Sequence, residues 1–164
     1  MIVLGIDPGS VYTGFAFIKR EAKGCQYVDS GRIRLGTGDF AQRLAMLYGQ
    51  LKSLVNIYKP SALALESVFV SKNVQSALKL GQARAIPLLL AGEFAMAVCE
   101  YSPRQVKKNI TGSGSAEKSQ VQFMVRRLLA LRANPSEDEA DALAIALTHA
   151  YGLSWAQVQQ KERV

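Results

Sequence analysis

Two carboxylates stand at the ends of apolar runs. Ile2-Val3-Leu4-Gly5-Ile6 leads into Asp7, and Pro8-Gly9 turns the chain immediately afterwards. Ala62-Leu63-Ala64-Leu65 leads into Glu66 in the same way. Such runs read as strands covered on both faces. An acid at the end of one sits on the rim of a sheet, where catalytic groups are often mounted. Asp7 alone could simply start a turn, since Asp-Pro and Pro-Gly are common turn dipeptides. The recurrence at Glu66 favours chemistry. If the two strands are parallel neighbours, the acids lie about a strand spacing apart. Like charges that close are costly unless one is protonated or a cation lies between them. No lysine or arginine adjoins either acid in sequence.

Two further acids, Asp138 and Asp141, are three residues apart and share a helical face. The helix dipole accounts for acids in a first turn, here Glu137, Asp138 and Glu139. It accounts less well for Asp141, which leads into Ala142-Leu143-Ala144-Ile145 and whose face should pack inward. A buried carboxylate needs a partner. Three or four carboxylates offer hard oxygen ligands, which suit Mg²⁺ or Mn²⁺ rather than zinc. Beside a basic surface, such a set points to phosphodiester hydrolysis with two metal ions about 4 Å apart.

The basic surface is legible too. Net charge is +7, from 20 Lys and Arg against 13 Asp and Glu. Between Tyr101 and Arg132 stand Arg104, Lys107, Lys108, Lys118, Arg126, Arg127 and Arg132, against the single acid Glu117. A local excess of this kind favours a polyanionic partner, nucleic acid first.

The elements that must position these groups follow from the apolar periods. After the first strand come two more apolar runs, Thr13 to Lys19 and Gln26 to Leu35, joined by short turns at Pro8-Gly9-Ser10 and Lys23-Gly24. Short connections imply an antiparallel meander. Phe40, Leu44, Leu47, Leu51, Leu54, Val55 and Tyr58 then lie on one helical face, and Lys59-Pro60 ends that helix. The strand Ser61 to Ser67 arrives by this crossover, so it should lie parallel to the first. A long helix from Asn73 to about Ala97, a strand from Val98 to Tyr101 and further helices follow. Ser102-Pro103 is a cap with proline in first helical position, and Ser136 with Glu139 forms a capping box. The expectation is one α/β domain of 164 residues with a five-stranded mixed sheet and helices on both faces. Residues 1–151 are assigned to it, and 152–164 are set apart as a C-terminal tail that matches no motif and is a candidate for disorder. No stretch is long and apolar enough to be a signal peptide or to span a membrane. Cys25 and Cys99 show no metal spacing, so a reduced, cytoplasmic setting is the default.

The motifs together resemble the RuvC-type Holliday-junction resolvases, crossover-junction endonucleases of ribonuclease H-like fold. The matching stretches are Gly5-Ile6-Asp7-Pro8-Gly9 with Thr13-Gly14, and Glu66 with Val68-Phe69 and Lys72-Asn73. Further matches are Ala77 to Arg84, Arg104-Gln105-Val106-Lys107, Gly114 to Val121, and Asp138 with Ala140 to Ala144. The resemblance implies that Asp7, Glu66, Asp138 and Asp141 are the catalytic, metal-binding acids, with two Mg²⁺ per site and Mn²⁺ able to substitute. Histidine replaces the acid at the Asp138 position in some members. It implies DNA contacts by Lys107 and Lys118 near the scissile phosphate and stacking of Phe69 on a base, with Lys72 and Arg104 as further basic contacts. It implies a homodimer that nicks two opposed strands of a four-way junction in homologous recombination and DNA repair, working with the RuvA and RuvB branch-migration proteins. Leu78, Gly81, Ala85, Leu88, Leu89 and Gly92 then form the dimer face. Pro87 interrupts that helix, which should bend or divide there. An ATP-binding protein of the actin and sugar-kinase type also uses an Asp-x-Gly turn between strands, but needs a second half-domain for which this chain has no length. Nucleases of the same type acting on other branched or RNA-containing substrates are a closer rival. A binding-only relative would not need all four acids.

Overall fold

The computed structural model describes residues 1–67 and 73–161, those after Gly152 as backbone. Strands β1 (Ile2–Asp7), β2 (Tyr12–Glu21) and β3 (Gly24–Arg34) form the meander, α1 (Phe40–Tyr58) crosses over, and β4 (Ala62–Glu66) follows. Then come α2 (Val74–Glu93), β5 (Ala97–Tyr101), α3 (Pro103–Thr111), α4 (Lys118–Leu128) and α5 (Glu137–Lys161). The strand order is β3-β2-β1-β4-β5. β1 runs antiparallel to β2 and parallel to β4, and β4 is parallel to β5. The five-stranded mixed sheet expected from the sequence is therefore present. Helix α5 continues past Gly152 to Lys161, into the segment set apart as a tail.

Side chains alternate across the sheet, and each face has its own core. On one face Leu4, Ile6, Phe17, Leu63 and Leu65 pack against Leu47, Leu51 and Val55 of α1 and Ala83, Leu90 and Ala91 of α2. On the other, Val3, Ala16, Ile18 and Ala64 meet Val106 and Ile110 of α3, Val121 and Val125 of α4, and Ala142 to Leu147 of α5. Asp7 and Glu66 share the parity of Val3 and Ala64, so both point to the α5 face.

The Ser102 cap read from the sequence is fully formed, whereas the Ser136 box is formed only by its Glu139 half, the buried Ser136 hydroxyl having no partner among the described residues. Ser102 accepts from the Gln105 amide at 3.2 Å, and the Gln105 side chain accepts from the Ser102 amide at 2.8 Å. Glu139 accepts from the Ser136 amide at 3.1 Å, which starts α5 beside the sheet. Helix α2 remains one element through Pro87, whose ring is buried. It ends at Glu93, earlier than expected, because Ala95 adopts a left-handed conformation (φ 52°) that turns the chain into β5.

Helix α5 lies almost on the backbone of the sheet. A Cβ on Gly5 would collide with the Ala142 carbonyl oxygen, and one on Gly14 with the Asp138 carbonyl oxygen. The exposed Gly49 of α1 has nothing within 4 Å of such a Cβ. Gly14→Ala should therefore destabilise the protein by about 1–3 kcal/mol, because α5 must lift. Gly49→Ala should stabilise it by roughly 0.5–1 kcal/mol, by restricting the unfolded chain. Urea unfolding of both variants checks the pair; a neutral Gly14→Ala would mean that α5 is not held against β2 at this point.

Candidate active site and nucleic-acid face

The parallel register of β1 and β4 pairs Ile6 with Leu65, so Asp7 and Glu66 follow side by side at the same rim. The turn after Asp7 is held by Thr13, which is fully buried. Its hydroxyl donates to the Gly9 carbonyl at 3.2 Å and accepts from the Gly9 amide at 3.4 Å. The end of β4 is fixed from α2: Arg84 donates to the Glu66 carbonyl at 2.9 Å and pairs with Glu100 at 2.6 Å. The seat of α5 over Gly14 delivers Asp138 and Asp141 from the other side.

Asp7, Glu66 and Asp141 line one cleft of about 300 Å³, together with Pro103, Val106, Lys107, Lys118, Val121 and Ile145. Its electrostatics are strained. Burial pushes the Asp7 carboxyl up to about 7, and the charges of Asp141, Glu66 and Asp138 add to the rise, opposed by Lys118. Glu66 is raised by burial and by Asp141, with Lys118 and Lys107 opposing. Asp141 is raised by burial, and Lys118 counters this from an amine 3.5 Å away. Lys118 in turn is raised, chiefly by Asp141.

The four acids thus share one electrostatic neighbourhood. As placed, however, no three His, Cys, Asp or Glu side chains among the described residues are grouped closely enough to hold a single ion. Mutual repulsion and the pull of Lys118 on Asp141 favour this separation. The donor set itself fits Mg²⁺ or Mn²⁺: every candidate ligand is a hard carboxylate oxygen, and a divalent cation would relieve the raised carboxyl of Asp7.

The basic residues divide. Lys107 and Lys118 line the acid cleft. Arg104 lines a neighbouring cleft of about 580 Å³ with Ser102, Gln105, Lys108 and Gly112 to Ser115, a lining without a carboxylate. Phe69 and Lys72 lie outside the described residues. Two cation contacts to the acids arise only through the tertiary fold and have no sequence signal. Lys118, already a site candidate, also pairs with Asp141, and Arg32 on β3, not a candidate from sequence, stands 3.8 Å from Asp138. An alternating strand offers no signal for the second contact. Of the six residues assigned to the dimer face, Leu78, Gly81, Ala85, Leu89 and Gly92 are exposed and Leu88 is half-buried.

The family described as crossover junction endodeoxyribonuclease RuvC matches residues 3–149. The chain belongs to the RuvC family. The RuvC of Sodalis glossinidius is 49% identical over 150 residues, which cover 92% of this chain and 87% of that protein. The RuvC of Pseudomonas aeruginosa is 47% identical over 150 residues, covering 92% and 86%. Thermus thermophilus RuvC in complex with Holliday junction substrate has a similar structure, with a TM-score of 0.88 and 31% identity, covering 95% of this chain and 96% of that one. The five-stranded mixed sheet with helices on both faces is therefore the ribonuclease H-like fold of RuvC.

The raised Asp7 carboxyl makes a prediction about stability. The unfolded chain ionises Asp7 near its ordinary 3.8, the folded one near 7. The folded state thus carries an ionisation penalty that is absent below 3.8 and complete above about 7. The shift corresponds to on the order of 4 kcal/mol. In chelator, Asp7→Asn should melt at a higher temperature than wild type at pH 8, and the gap should close towards pH 4. Thermal unfolding across that range checks it; a gap independent of pH would mean that Asp7 is not strained. Added Mg²⁺ should raise the melting temperature of wild type more than that of Asp7→Asn.

Proposed function

We propose that this chain resolves four-way DNA junctions by paired, two-fold symmetric nicks, through phosphodiester hydrolysis with two divalent ions held by Asp7, Glu66, Asp138 and Asp141. Family membership supports the endonuclease activity. The single observation that carries the site is the elevation of the Asp7 carboxyl to about 7 in a cleft shared with Glu66, Asp141, Lys107 and Lys118. Acids are not crowded and desolvated in this way for stability alone. Mg²⁺, with Mn²⁺ as a substitute, would activate the attacking water and stabilise the leaving oxygen. The chain's own groups do the rest. Lys107 and Lys118 hold the phosphate over the acids, and Lys118 can exchange its pairing with Asp141 for a phosphate oxygen. The apolar walls Val106, Val121 and Ile145 restrict water on one side of the cleft.

The proposed assembly is a homodimer through α2. Its inner face buries Ala83, Pro87, Leu90 and Ala91, while Leu78 is 62% and Leu89 59% exposed on the outer face. Exposed leucines aligned with Gly81, Ala85 and Gly92 offer a self-complementary apolar stripe with small residues for close approach. Pro87 points inward, so it leaves this stripe undisturbed. A two-fold dimer brings two acid clusters to one junction, which a single cluster cannot cut twice at once. Recombination and repair, RuvA and RuvB as partners, and the cytoplasm as setting complete the proposal on family resemblance. Among the described residues no helix is long and apolar enough to cross a membrane.

Incubating the protein with Mg²⁺ and either a synthetic four-way junction or a matched linear duplex tests the activity. Symmetric paired cuts in the junction alone are expected. Glu66→Gln and Asp141→Asn should each lose at least about 10²-fold in rate while still binding the junction. Asp138→His should be the best tolerated change at its position. Equal cutting of linear duplex would contradict the substrate assignment. Ala85→Glu should give folded monomer whose nicks are uncoordinated; sedimentation showing an unchanged dimer would remove α2 from the interface.

A further inference from the structure

Arg32 stands in a row with the active site. Asp7 on β1 pairs with Gly14 on β2, and Gly14 pairs with Arg32 on β3. Directly paired residues share a face, so Arg32 lies on the acid face, two strands from Asp7 and roughly 10 Å away along the sheet. Gly14 between them carries no side chain, and the Asp138 backbone fills that space. Arg32 thus flanks the acids on the β3 side. Lys107 and Lys118, from α3 and α4, line the cleft on the side of Glu66 and the β5–α3 junction.

Its guanidinium is prepared rather than used. It stacks over the Tyr12 ring at 4.6 Å from the centroid. One nitrogen lies 3.8 Å from Asp138, with the two side chains 50% and 33% exposed. A single long contact at that exposure contributes little. Among the described residues no hydrogen bond to the guanidinium is present. Contact with the Tyr12 ring takes up none of its N–H donors, and a guanidinium with open donors suits bidentate binding of a phosphate. Helix α1 does not cover it, and the neighbouring Arg34, opposite Tyr12, is also exposed and adds positive charge.

We propose that Arg32, packed over the Tyr12 ring, binds a backbone phosphate of the junction strand next to the scissile position, on the opposite flank of the acids from Lys107 and Lys118. The strand then crosses the acid row from the β5 side to the β3 side, clamped at both ends. In the free protein Asp138 takes the place of that phosphate. Arg32 is a substrate-positioning residue in this account, which rests on the junction-resolvase reading above.

Equilibrium binding of a fluorescent four-way junction in EDTA, over a series of salt concentrations, separates the possibilities without cleavage. Each phosphate contact adds about 0.9 to the slope of log K against log salt. Arg32→Ala should weaken binding by roughly 5–10-fold at moderate salt and lower the slope by about 1 for each Arg32 engaged, so by about 2 in a two-fold dimer. Arg32→Lys should keep the slope and recover only part of the affinity, since it loses the planar fork. Tyr12→Leu should fall between wild type and Arg32→Ala. Circular dichroism confirms that the variants fold. Wild-type affinity and slope in Arg32→Ala would overturn the proposal and leave Arg32 as an ion pair of Asp138. Failure of wild type itself to prefer the junction over duplex would instead bring down the reading on which it rests.

Discussion

The first turn of α5 rests on bare backbone at Gly14, and the helix continues over Gly5. Everything at the site depends on that close approach. Two of the four acids belong to α5 and two to strand ends, and only a helix pressed against the sheet can bring them to one rim. The alanines at 142, 144 and 146 are all fully buried, and they let the rest of the helix follow the same line. The residues that make the packing tight are therefore also the residues that make the electrostatics unfavourable.

That unfavourable term is large enough to matter beside a typical folding free energy of 5–15 kcal/mol. The fold offsets it in part with cations delivered from other elements. Lys118 comes from α4 to Asp141, Lys107 from α3 to the field of Glu66, and Arg32 from β3 to Asp138. None of these pairings is short or bidentate, and each cation is free to turn to a phosphate. Under the proposed function, a site that receives divalent ions and a polyanion would stay strained in their absence. The neighbouring Ser102-to-Ser115 cleft, with Arg104 and Lys108 and no acid, extends the same positive surface beyond the rim.

The sequence made the strand-end acids legible because an apolar run closed by a carboxylate is conspicuous when it occurs twice. The Ser102 box and the Glu139 half of the Ser136 box were legible because capping uses residues close in sequence. The parallel β1–β4 pairing followed from the helical crossover. Other features were not accessible to local reading. The salt bridges of Arg32 and Lys118 join residues 106 and 23 positions apart in a chain whose tertiary packing decides them. The early end of α2 turns on one left-handed alanine, a residue type with no preference for that conformation. Of the bend or division expected at Pro87, the division does not occur, since α2 is one element with the proline ring buried on its inner face. Asp141 was expected to need a metal as its partner, and Lys118 also serves.

The central claim is that the four acids form one divalent-metal centre. Anomalous diffraction from crystals soaked in Mn²⁺ tests it most directly. The account predicts manganese peaks bonded to Asp7 and shared among Glu66, Asp138 and Asp141, with Lys118 turned away from Asp141. Manganese bound elsewhere on the protein, with Asp7 left without a metal contact, would contradict it.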